Sequence, residues 1–211
     1  RDIRNQLSVP FKFSPDVLFQ LAQPPYWALA SIRSGTPSIA NYADLLQSAT
    51  SYADEQKTLI TPSFTWEGLA RIRERWKGKL IVKGVLHPED AVAAAELGCD
   101  GIVVSNHGGR QVDFGPSTIS ALPAIADAVS GRLTVLFDSG IRRGSHVLRA
   151  MSRGAGFVLA GRALAYGVGA GGELGAHRAF DILALELTRA CGQLGARSCG
   201  EVSENDLFTV S

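Results

Sequence analysis

From Phe64 onward, short apolar runs alternate with longer amphipathic ones. Trp66, Leu69, Ile72 and Trp76 recur at helical spacing, and Gly78 closes that run. The next apolar run, 79–82, has the length of a strand and ends at Lys83-Gly84. The pattern then repeats. A helix is predicted over 87–97, closed by Gly98, and a strand over 101–104 ends at Ser105-Asn106-His107. A helix over 117–129 precedes a strand over 133–137 that ends at Asp138. A helix over 145–152, closed by Gly154, precedes a strand over 156–160 that ends at Gly161-Arg162. A last long helix fits 172–191, with the glycine-rich stretch 167–172 as its flexible entry.

The strands lack polar alternation, so both of their faces are expected to be buried, as in parallel sheets covered by helices. Strand–helix units in series define an α/β fold. The candidates are an open doubly wound sheet and a (β/α)8 barrel. About four units are visible where a barrel takes about eight in ~250 residues. The expectation is therefore the C-terminal half of a TIM barrel, with the first half on another chain or lost. Residues 1–60 differ in kind. They carry Pro10, Pro15, Pro24, Pro25 and Pro37 with clusters of Ser and Asn, and no sustained period. They read as a loop segment, and 61–211 as the half-barrel.

Composition narrows the classes. Of the 211 residues 45% are hydrophobic, enough for a sizeable core. The net charge is +1, without the basic surplus of a nucleic-acid protein. Cys99, Cys191 and Cys199 lack metal-ligand spacing, which argues for a reduced, cytoplasmic compartment and against zinc. No run reaches the ~18–20 apolar residues of a bilayer span. The polar start reads as no signal peptide, and Arg1 in place of Met puts the natural start upstream.

Chemistry in α/β folds collects where strands end. Here those ends carry Lys83, Ser105-Asn106-His107, Asp138 and Gly161-Arg162. Each alone is also an ordinary cap or turn. In Ser105-Asn106-His107-Gly108-Gly109-Arg110-Gln111 the paired glycines allow a sharp turn and close approach to a ligand. His107 can take a proton near neutral pH, and Arg110 can grip a carboxylate with two hydrogen bonds. Asp138-Ser139-Gly140-Ile141-Arg142-Arg143-Gly144 follows a strand and opens a helix, an anion site, and Gly161-Arg162 adds further donors. His87, His146, His177 and Cys99 read as structural.

These motifs, with Ile81-Val82-Lys83-Gly84 and the continuation Val112-Asp113, resemble the FMN-dependent L-2-hydroxy acid oxidase/dehydrogenase family over nearly the whole chain. The resemblance implies a (β/α)8 barrel with FMN at the C-terminal rim. It implies Lys83 beside the flavin N1–C2 carbonyl region, Ser105 touching the cofactor and Asp138 binding the ribityl hydroxyls. The turn of Ser139, Gly140 and Arg142, with Gly161 and Arg162, is implied to hold the phosphate. His107 becomes the base and Arg110 the substrate carboxylate clamp. The proton comes either from Cα or from the hydroxyl during hydride transfer, and the product is a 2-oxo acid. The family's first half supplies a Tyr, an Asp that orients the His and a second Arg. None of these is in the 211 residues, so an N-terminal half is an expected partner. A homotetramer is implied by resemblance alone. Ser139 stands where many members carry Gly.

Residues 11–50 separate subtypes. Phe11, Phe13, Leu18, Phe19, Leu21, Tyr26, Trp27, Leu29 and Ile32 lie among few charges. The stretch resembles the docking segment of membrane-associated lactate and mandelate dehydrogenases, which would place the protein on the inner face of the cytoplasmic membrane and suit a quinone acceptor. The alternatives are an active-site lid, which goes with an oxygen-using oxidase, and a loop packed on the barrel or a neighbour. Two further readings stand beside the flavoenzyme. One is a non-catalytic half-barrel that only binds a partner chain. The other is a phosphate-binding barrel enzyme with Lys83 as a Schiff-base lysine.

Overall fold

The apolar runs pair side by side in chain order. In the computed structural model β1 (Ile81–Val85), β2 (Gly101–Val104), β3 (Thr134–Phe137) and β4 (Phe157–Val158) form one parallel sheet in the order β1-β2-β3-β4. The structure describes residues 63–206, the helix α1 (Pro25–Ser34) and the single positions Pro15, Phe19 and Gln23. Phe11, Phe13, Leu18, Leu21 and the side chains of Tyr26 and Trp27 lie outside the described residues. The chain divides into two compact units, Arg1–Thr65 and Trp66–Ser211. In the first, α1 opens with Pro25 at a position where the missing N–H costs nothing, and it exposes Leu29 and Ile32.

In the second unit helices precede, separate and follow the strands: α2 (Trp66–Arg75), α3 (Pro88–Glu96), α4 (Thr118–Val129), α5 (Gly144–Ser152) and α6 (Arg162–Gln193). The order is strand–helix throughout, as the sequence pattern predicts. β2 is buried along its whole length. Ile102, Val104, Val135 and Phe137 of the sheet pack with Ala91 and Ala94 of α3 and Leu122, Ile125 and Val129 of α4. Among the described residues no strand pairs with the outer edges of β1 and β4, and Ile81 and Phe157 on them are exposed.

Caps follow from local sequence. His87 accepts the Glu89 N–H ahead of Pro88, and Ser117 accepts the Ser120 N–H to start α4. At the strand N-terminal end, Asp100 ties three segments together. Its carboxylate takes Lys79 Nζ at 2.7 Å, the Leu80 N–H at 2.9 Å and Arg73 Nη1 at 3.2 Å. The Lys79 hydrogen bond first, then that of Leu80, holds this carboxyl below its ordinary value. This cluster fastens the end of the sheet opposite the chemistry-bearing rim.

Two elements differ from the pattern. Of the stripe Trp66, Leu69, Ile72 and Trp76, only Leu69 is buried. The Trp76 indole instead donates to the Lys79 carbonyl at 2.9 Å. α6 is two helices joined end to end: the one past Gly172 that the spacing predicts, and a preceding one from Arg162. Its glycine-rich start is helical up to a bend at Gly171 and Gly172. Across that bend Gly167 and Gly175 meet backbone to backbone, and a Cβ on either would collide. Gly167 and Gly175 serve close packing, and Gly172, at φ +57°, serves the bend.

Candidate functional site

Because the strands are parallel, all their C-terminal ends open on one rim. A cleft of about 480 Å³ lies there, lined by Lys83, His107, Arg110, Asp138 and the two turns around Gly140 and Gly161. Ser139, Arg142 and Arg162 also face it. Ser105, the last sequence candidate, lies fully buried just beneath.

Asp138 is the hub. It emerges from β3, and its Oδ2 meets Lys83 Nζ, from β1 two strands away across β2, at 3.0 Å. Lys83 Nζ also donates to Ser105 Oγ at 3.0 Å, so one ammonium joins the ends of three strands. Ser139 Oγ donates to Asp138 Oδ1 at 2.6 Å. Burial pushes the Asp138 carboxyl up, but hydrogen bonds from Ser105, Ser139 and Lys83, with the Lys83 charge, outweigh it. The net effect is a carboxylate held below its ordinary range.

His107 sits on a left-handed backbone, φ +56°, followed by Gly108 and Gly109 at φ +70° and +69°. Three such residues in a row turn the chain back over the rim. The His107 N–H donates to Ser105 Oγ at 3.1 Å. Among the described residues its ring has no hydrogen-bond partner. It lies against Gly84 of β1, where the register slips between Lys83 and Val85. A Cβ on Gly84 would come within 2.7 Å of His107 Cε1. Gly84 is a site residue that the sequence reading passed over. An isolated glycine in a strand was the available signal, since it marks a bulge or a close approach. Arg110 is exposed at the cleft mouth, three residues beyond the imidazole.

The anion-receptive groups are divided differently from expectation. The N-terminus of α5 already carries a carboxylate. Glu186 Oε2 accepts the Gly144 N–H at 2.9 Å, and the same side chain pairs with Arg143 Nε at 2.8 Å. That ion pair lowers the Glu186 carboxyl and raises the Arg143 guanidinium from their ordinary values. Gly144 has no Cβ, which lets the α6 backbone at Glu186 and Leu187 press against it. The helix end left to the cleft belongs to α6. Gly161 caps it without a side-chain hydrogen bond, and Arg162 donates to the Gly108 carbonyl at 2.7 Å.

Among the described residues no cluster of His, Cys, Asp and Glu is arranged to hold a metal ion. Cys191 and Cys199 approach to 4.0 Å as free thiols.

Parallel β/α units whose rim joins a cation, a carboxylate, an imidazole and a helix N-terminus form an α/β segment with a polar cleft at its strand C-terminal ends. The chain belongs to the FMN-dependent dehydrogenase family, whose model matches residues 1–209. It is 46% identical over 194 residues to an L-lactate dehydrogenase of Caulobacter vibrioides, covering 90% of this chain and 51% of the relative. The monotopic membrane protein (S)-mandelate dehydrogenase matches with a TM-score of 0.90 at 34% identity, over 99% of this chain and 56% of its own. A mutant flavocytochrome b2 with pyruvate bound matches with a TM-score of 0.68 at 35% identity, over 72% and 42%. The chain spans about half the length of the curated relatives it matches. The four β/α units are thus part of a barrel and not an open sheet.

Proposed function

We propose that the protein to which this chain belongs oxidises an L-2-hydroxy acid of the lactate or mandelate class to its 2-oxo acid, using FMN. The observation that carries this reading is the convergence of the Lys83–Asp138 pair, His107 and Arg110 on one cleft. The donor set fits the cofactor. Asp138 is an ionised acceptor suited to ribityl hydroxyls, Lys83 a cation suited to an electron-rich ring edge, and the α6 N-terminus with Arg162 a seat for a phosphate dianion. Bound FMN supplies the two-electron acceptor.

The chain's own residues would do the rest. The Arg110 guanidinium grips the substrate carboxylate and sets the carbon bearing the hydroxyl toward His107. A ring nitrogen of His107 takes up the proton released from Cα or from the hydroxyl. Lys83, fixed by Asp138 and Ser105, opposes the negative charge that oxidation of the substrate delivers to the rim. The exposed outer strands β1 and β4 are completed by the N-terminal half of the barrel, and a homotetramer is the expected assembly. The yellow full-length protein should bleach anaerobically on adding L-lactate or (S)-mandelate. FMN that stays oxidised with these, glycolate and longer homologues would refute the reading.

The second part of the proposal concerns the N-terminal unit. We infer that residues 11–39 dock on a membrane surface at the inner face of the cytoplasmic membrane, with a quinone as electron acceptor. The match to a monotopic dehydrogenase extends over 99% of the chain, against 72% for flavocytochrome b2. α1 presents Leu29 and Ile32 to its surroundings, with Arg33 in its last turn for anionic head groups. Among the described residues no helix is long and apolar enough to cross a membrane. Replacing 11–39 by a short polar loop should move the enzyme to the soluble fraction, keep flavin reduction by substrate and lower electron transfer to quinone. An intact enzyme that is soluble without detergent and ignores anionic liposomes would favour the lid and an oxygen-using oxidase.

A further inference from the structure

We propose that Ser139 is a positioning residue that sets the base His107 through its hydroxyl. The inference rests on the reading of His107 given above. Ser139 adopts φ +78°, a conformation that favours glycine, and it holds that conformation while Gly140 follows at φ +84°. A serine kept there against its backbone preference is explained by what its side chain does. Oγ donates its proton to Asp138 Oδ1 at 2.6 Å and accepts the Gly108 N–H at 3.0 Å. One hydroxyl, using its donor and one lone pair, therefore links the carboxylate that holds Lys83 to the loop that carries His107.

Among the described residues the His107 ring has no hydrogen bond, and the Asp expected to orient it belongs to the N-terminal half, so what this chain itself can set is the backbone that carries the ring. The backbone on either side of it is fixed instead. The His107 N–H is tied to Ser105, the Gly108 N–H to Ser139 and the Gly108 carbonyl to Arg162 Nη2 at 2.7 Å. Three strand ends thus clamp a run of three left-handed residues. Gly108 and Gly109 have no intrinsic preference for that conformation, so freeing the Gly108 N–H loosens the turn. The same bonds define which part of Ser139 could serve the phosphate turn. Its proton is committed to Asp138 and a lone pair to Gly108, so toward a phosphate Ser139 would offer its backbone N–H and not its hydroxyl, beside Gly140, Arg142, Gly161 and Arg162.

Ser139→Gly and Ser139→Ala in the full-length holoenzyme separate the hydroxyl from the backbone. Glycine relieves the strained φ, and alanine keeps it; both remove the clasp. Amide exchange in a peptide covering Gly108 should accelerate at least tenfold in both, with exchange in β2 unchanged. The flavin-reduction rate constant should fall roughly tenfold in both, the scale of one lost positioning hydrogen bond, with substrate Kd nearly unchanged. Unchanged exchange at Gly108 overturns the clasp whatever the activity. Faster exchange with a wild-type reduction rate overturns the positioning role. A Ser139→Gly variant that gains stability and keeps its rate shows that only the backbone mattered. A wild-type holoenzyme that no 2-hydroxy acid reduces overturns the functional reading and the base assignment, and the exchange result still decides the clasp.

Discussion

His107→Ala is expected to slow reduction of the flavin by an L-2-hydroxy acid about 10²-fold or more, the usual scale for losing a general base. The protein should stay yellow. The bonds that hold the loop come from the His107 N–H and from Gly108, and both survive the substitution. Space at Gly84 is vacated, not overfilled. Substrate should still bind through Arg110, so the loss should fall on the rate constant and far less on Kd. Stopped-flow absorbance under anaerobic conditions separates the two. A variant that reduces at the wild-type rate would remove His107 from the chemistry. A colourless variant would mean that the imidazole supports the cofactor site instead.

The strand–helix alternation was legible because buried parallel strands carry an unbroken apolar run and the helices an amphipathic one. Strand ends were legible for the same reason: polarity returns abruptly at Lys83, Ser105, Asp138 and Gly161. With the strands parallel, those ends are brought to one cleft by topology alone. What one-dimensional reading missed depends on contacts between distant segments. The α5 N-terminus looked free, but the carboxylate that fills it comes from Glu186, on another helix. In the stretch read as a flexible helix entry, Gly167 serves close approach while Gly171 and Gly172 make the bend, and a glycine needed for one is spelled the same as a glycine needed for the other. Trp66, Ile72 and Trp76 kept helical spacing without burial, since spacing marks a face and not what covers it. In the sequence Ser139 is, by resemblance, a member of the phosphate turn. Its φ and its two partners become visible only when the β2 and β3 ends stand side by side.

Asp138→Asn should be the most damaging isosteric change for the cofactor. The amide keeps the shape but loses the charge that balances Lys83 at 3.0 Å, and it turns an acceptor pair into a mixed donor and acceptor. It also disturbs the 2.6 Å bond from Ser139 and leaves a half-exposed ammonium without its counter-ion. FMN affinity should fall about 10- to 100-fold, the effect of losing a charge-assisted hydrogen bond in a partly solvated site. Titrating FMN into the apoprotein, followed by flavin fluorescence, measures this directly. The stability difference between the two proteins should depend on pH with a definite sign. The folded Asp138 carboxyl lies below its ordinary value of 3.8, so its contribution is fully present above that value. It is lost as pH falls through the lower folded value. Thermal melts should therefore separate wild type from Asp138→Asn at neutral pH and converge below about pH 4. A gap that is constant across this range would mean that the Asp138 charge contributes nothing. FMN binding unaffected by the substitution would mean that the ribityl chain is held elsewhere.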